Sequence, residues 1–233
     1  MTGIASTMAL PLGWSDWIAF FWFFAGWIGY LFFAGWRAKR RPGLVTRLDH
    51  YRKRWMEQVS QREIRIGDVS ILANLSNGST FFASTTLLIL GGLLALLGTT
   101  EKVASIVSEL PFNKAAPERL WDMKILLLTG IFIFAFFKFT WSLRLYHFLS
   151  VLIGSAPPYD SDKEDGASFV RRGMATASLA AESFNNGLRA YYFALAAMTW
   201  FLNPWIWMVS TSWVVAILYY REFHSAALRG LDS

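Results

Sequence analysis

Residues 14–36, WSDWIAFFWFFAGWIGYLFFAGW, read together with the basic stretch that follows them, decide the fold. These 23 residues hold a single charge, Asp16, near one end. A helix rises about 1.5 Å per residue, so a run of this length crosses a hydrocarbon core of about 30 Å with little to spare. A helix also satisfies its own backbone there, where no water can. No Lys or Arg occurs in residues 1–36, whereas ten fall between Arg37 and Arg65. Basic flanks stay in the cytoplasm, so the asymmetry predicts an N-terminus outside and the basic segment 37–68 inside. No basic n-region precedes the run, which is longer and more aromatic than a signal-peptide core. It is therefore expected to be a retained span.

The rest of the composition agrees. Charged residues make up 16% of the 233, against about a quarter in soluble domains, and the formal net charge of +6 comes largely from that one basic block. A basic block beside an apolar span is explained by orientation and by anionic inner-leaflet lipid, so no nucleic-acid partner is expected. The absence of cysteine removes disulfides, iron–sulfur ligation and thiol nucleophiles.

Further apolar stretches predict spans at about 71–98, 124–153, 176–202 and 205–220, giving an all-α integral membrane bundle of four or five transmembrane helices with long helical extensions on the inner side. The number turns on Asn203-Pro204. Asn-Pro forms turns and proline suits the first position of a helix, so a hairpin and five crossings are favoured over one kinked helix and four. Within segment 37–68, Leu44, Leu48, Tyr51, Trp55 and Val59 recur at spacings of three and four. That face meets either the anionic leaflet or the protein's own inner surface. Residues 75–90, LSNGSTFFASTTLLIL, and 184–199, FNNGLRAYYFALAAMT, align without gaps at an offset of 109. Both are polar entries with Asn-Gly ahead of an apolar run, and similarity between apolar helices explains the match without a duplication.

The placement of these spans brings Asn74 and Asn77, then Lys138, Arg144 and His147, then Asn185, Asn186 and Arg189 to similar depth, with Glu182 the nearby acid. Such groups are costly in hydrocarbon and are expected to face the bundle interior or a wet cavity. A cavity lined by Arg, Lys and Asn donors favours anions, and this predicts an oligomeric channel or transporter for an anion or small anionic solute. The competing expectation is a structural or accessory membrane subunit, whose basic side chains anchor in headgroups and whose amides tie helices together. Small residues on the predicted helices suggest a homo-oligomer, and a membrane protein partner fits the accessory reading.

Other chemistry finds little support. The histidines His50, His147 and His224 have no carboxylate at metal-ligand spacing, and a haem held by His147 and His224 is the remote alternative. No phosphate loop, nucleophile elbow or metalloprotease motif appears, so no enzyme, cofactor or catalytic residue is expected.

Three ordered segments carry a resemblance. NGSTFFASTTLLILGGLLALL (77–97), SLRLYHFLSVLIGSAP (142–157) and GLRAYYFALAAMTWFLNPW (187–205) are similar to an uncharacterised multi-pass membrane protein family of bacteria and plants, a domain of unknown function, over about residues 65–220. The resemblance implies a helical membrane protein, with the bacterial inner membrane as its expected location. It implies no activity.

Overall fold

A computed structural model of the chain describes residues 13–38, 43–98, 118–158 and 163–230, and these are all-helical. The elements are α1 (Trp14–Ala38), α2 (Leu44–Gln61), α3 (Ile66–Leu97), α4 (Glu118–Gly154), α5 (Lys163–Met198), a 3₁₀ turn (Thr199–Phe201), α6 (Pro204–Phe223) and α7 (Ala226–Gly230). Within α1, α3 and α4 lie stretches long and apolar enough to cross a membrane: Trp14–Ala34, Ile66–Leu97 and Arg119–Gly154.

Local chemistry sets the helix ends. At the start of α1 the Asp16 carboxylate accepts from the Gly13 backbone N–H at 3.2 Å, the third-residue half of a capping box. Between α5 and α6 the chain unwinds at Leu202, and Asn203 takes an extended conformation. Its side chain accepts from Trp205 N at 2.8 Å, with Pro204 in the first turn of α6. The result is a hairpin rather than a kink. Trp200 stacks on Trp207 with centroids 4.4 Å apart, and further from the turn Arg221 donates to the Tyr192 hydroxyl at 2.5 Å.

Side-chain register gives the remaining directions. Helices α3 and α4 are antiparallel, with Ser79 3.1 Å from Ser142 and the Phe82 ring stacked on Phe139. Helices α4 and α5 are antiparallel as well, with Ser142 donating to the Ala180 carbonyl, Phe132 edge-on to Tyr191 and Trp121 beside Phe201. Helix α1 lies parallel to α6, pairing Phe23 with Trp207 and Phe33 with Tyr219. So α1, α4 and α6 run one way, and α3 and α5 run the other.

Two apolar cores result. The larger is aromatic, centred on Phe23, Trp27, Phe139, Phe193, Trp200 and Trp207. Two features make it tight. Gly187 lets α5 meet α4, since a Cβ there would stand 2.6–2.9 Å from the Phe139 ring. The buried hydroxyls of Thr86, Thr129 and Thr211 return to carbonyls four residues back, so none is left bare. Gly78, which matches Gly187 in the apparent repeat, has nothing within 4 Å of a notional Cβ. The two segments therefore share a direction but not a packing role.

The smaller core joins α2 to α4 and α5 at the end of the bundle that carries α2. Of the two surfaces foreseen for α2, it meets the protein's own. Met56 and Val59 are fully buried, and Gly173 makes room for the Met56 sulfur. The inward face is wider than the apolar stripe read in the sequence: Leu44, Leu48 and Trp55 are half-buried and Val59 buried, Asp49, Arg52 and Met56 join them, and Tyr51 is 43% exposed. The cause is polar: Asp49 accepts from Ser178 of α5 at 2.5 Å and from Arg52 at 2.7 Å. The α2–α3 turn is pinned by buried Asp68, which accepts from Trp55 Nε1 and Arg62. Arg65 completes the pinning by donating to the carbonyls of Val59, Ala156 and Pro157.

Candidate functional site

Along α5, Ser178, Glu182, Asn185, Asn186 and Arg189 recur at helical spacing and form one polar track. Helix α5 begins at Lys163, well before the predicted span, so this track lies mid-helix rather than at an entrance. Facing it are the first turns of α2, the second half of α1 and the end of α6. Together they enclose a cleft of about 420 Å³, whose walls include Thr46 and Asp49 of α2, Leu31 and Ala34 of α1, and Glu222 of α6. A smaller lobe of about 150 Å³ continues it past Arg189 and Glu222 to Tyr30, Tyr192 and Arg221.

Arg189 is the hub of this arrangement. Its side chain is 16% exposed, it donates to Asn186 Oδ1 at 3.1 Å, and its guanidinium carbon lies 5.6 Å from the centre of the Tyr30 ring. A second guanidinium nitrogen stands 3.7 Å from Glu222 Oε2, an ion pair beyond hydrogen-bond length. The other oxygen of Glu222 accepts from Val45 N at 3.3 Å. That N–H belongs to the first turn of α2, whose own N-cap residue, Gly43, has no side chain to offer. Glu222 therefore caps α2 from another helix. Gly43 is needed for it, because a Cβ there would stand 2.7 Å from the same carboxylate oxygen.

Of the eight residues singled out in the sequence, the structure brings Asn185, Asn186 and Arg189 together. Asn74 and Asn77 lie on the exposed side of α3, and His147 is exposed on α4. Lys138 sits over the Phe134 ring, and Arg144 lies exposed beside Trp141 and Phe148. The face of α4 turned to its neighbours is filled by Phe132, Ala135, Phe139, Ser142 and Leu149, and Lys138 and Arg144 fall outside that stripe. The carboxylates of the cleft come from segments the sequence placed elsewhere: Asp49 from the amphipathic helix and Glu222 from beyond the last predicted span. With Glu182 they give the walls of the larger lobe three carboxylates, of which Asp49 is paired with Arg52 at 2.7 Å and Glu222 with Arg189, while Glu182 stands exposed.

The far end of the bundle is sealed. Asp16 and Lys124 are 8% and 5% exposed there, and Trp200 Nε1 donates to Asp16 at 2.7 Å. The Lys124 ammonium lies 5.5–5.7 Å from the ring centres of Trp121, Trp200 and Phe201. Phe23, Trp27, Phe193 and Trp207, each at most 9% exposed, fill the interior between this cap and the cleft. Among the described residues no three His, Cys, Asp or Glu side chains gather closely enough to hold a metal, and His224 packs against Tyr219 and Tyr220.

A family model covering residues 18–227 matches the chain. The chain belongs to the DUF599 family, described as protein of unknown function. The matched span runs from within α1 into α7, so every wall of the cleft lies inside it. No curated protein and no solved structure matches this family member.

Proposed function

We propose that this DUF599 member is a five-span membrane protein that binds a small cation-bearing solute in the cleft between α1, α2, α5 and α6, on the cytoplasmic side, as a binding or transport protein rather than an enzyme. Two features support the topology. Basic residues follow α1 and are absent before it, and the α5–α6 hairpin adds a rising and a returning helix to the three apolar ones. One observation carries the solute reading: in a cavity of about 420 Å³ Arg52 answers Asp49 and Arg189 answers Glu222, while Glu182 stands exposed in the wall as the carboxylate a cation can meet. A cation about 4 Å from one carboxylate gains on the order of 4 kcal/mol at an effective dielectric near 20, before desolvation, and an anion loses as much. The cleft thus favours cations over the anions that the basic residues suggested when read by depth alone.

The accessory-subunit reading rests on a different observation, the aromatic interior that the described residues pack between the cleft and the far end. Calorimetric titration of purified protein with ammonium and carboxylate solutes of matched size tests the proposal. Saturable binding of the ammonium set, weakened about tenfold or more in Glu182→Gln, is expected. Equal binding of both sets, or of neither, overturns it.

A further inference from the structure

Glu182 is the exposed carboxylate of the cleft walls, and the charges along α5 are laid out in order. Along α5 the track runs from Glu182 through Asn185 and Asn186 to Arg189, acceptor at one end and donor at the other. Asp49, on the facing wall, lies at the same end, since its partner Ser178 is one turn before Glu182; Ser178 and Arg52 share one of its carboxylate oxygens, and the second oxygen remains to accept. At the other end Arg189 keeps donor capacity, because its nearest Glu222 oxygen is 3.7 Å away. Asn186 has its carbonyl oxygen engaged by Arg189, which leaves the amide N–H groups to donate.

We infer that the solute is a zwitterion, its ammonium held by Glu182 and Asp49 and its carboxylate by Arg189 with the Asn185 and Asn186 amides. This rests on the reading of the cleft as a solute site, and it names the second charge that site selects. A planar guanidinium flanked by amides suits a carboxylate, and a carboxylate that accepts hydrogen bonds suits an organic ammonium. Spacing sets the size of the solute. Seven residues at about 1.5 Å each separate Glu182 from Arg189 by roughly 10 Å along α5, and a hydrogen bond of about 3 Å at each end leaves charges about 4–5 Å apart on the ligand. A separation of that order is nearer to 3-aminopropanoate and 4-aminobutanoate than to glycine or 6-aminohexanoate.

The test is a titration of the full chain in lipid nanodiscs with the ω-amino acids from glycine to 6-aminohexanoate, alongside n-butylamine and butanoate. The expected result is an affinity maximum at the three- or four-carbon amino acid, at least tenfold above n-butylamine, with butanoate not binding. Arg189→Lys, which keeps the charge but loses the planar fork, should bring 4-aminobutanoate down to the level of n-butylamine. If n-butylamine binds as tightly as 4-aminobutanoate in the wild-type chain, the zwitterion inference falls and the cationic site stands. If no member of the panel binds, both fall. The length series on the unmodified protein decides the matter whether or not the Arg189 variant folds.

Discussion

At the turn end of the α5–α6 hairpin an acid, a base and several aromatic rings are packed shut, whereas at its open end an acid, a base and a tyrosine border a cavity. Asp16 and Lys124 have lost nearly all contact with solvent, and Trp200 is fixed to Asp16. Arg189 and Glu222 retain 16% and 14%, with Glu182 exposed beside them. Similar side chains thus serve cohesion at one end and remain available at the other. What separates the two is the neighbouring helix. Trp207, Trp121 and Phe201 fill the space around the first pair, while the short side chains of Thr46, Ser178 and Ala34 leave it open around the second.

The largest effect is expected from breaking the closed end. Asp16→Ala leaves the buried Trp200 N–H unpaired and removes the negative charge whose field reaches buried Lys124, and losing a charged buried acceptor costs about 3 kcal/mol. Thermal unfolding in detergent should show a clear drop in midpoint. An unchanged midpoint would show that the seal adds nothing. Next come the matched glycines. Gly187→Ala drives a methyl into the Phe139 ring and should cost about 1–3 kcal/mol. Gly78→Ala meets open space and should be neutral or stabilising by up to about 1 kcal/mol. Equal outcomes for the two would restore the structural repeat that their packing argues against. The smallest effect belongs to the open end. Gly43→Ala crowds Glu222 away from the start of α2 and should cost about 1 kcal/mol, the worth of a helix cap. Hydrogen exchange should show the loss confined to the first turn of α2.

The two ends also differ in how readily the sequence reveals them. Asn203-Pro204 announces its turn because both residues act locally, one as a cap and the other as a first-turn residue. The polar track on α5 is readable for the same reason, as a helix repeats in register with its own residues. Depth along a span can be counted, which sets Lys138 and Arg144 level with Arg189, but the direction a residue faces around its helix depends on the neighbour. Phe139 and Ser142 claim the inward face of α4. Asp49 and Glu222 escape notice for a related reason. Each lies on a segment whose apolar residues draw the eye, and each becomes a wall only when α2 folds back against α5 and α6. The cap formed by Asp16, Lys124 and Trp200 joins three helices from distant parts of the chain, and no local pattern encodes it.

The sign of the potential inside the cleft is the central claim, and it can be measured without knowing the solute. The chain has no cysteine, so a Ser178→Cys variant carries one thiol in the cleft wall. Its rates of modification by a cationic and an anionic methanethiosulfonate of similar size, each normalised to a free thiol, report the local charge. The account predicts about tenfold or greater preference for the cationic reagent, narrowed when Glu182→Gln is added. An equal or faster reaction with the anionic reagent would contradict it.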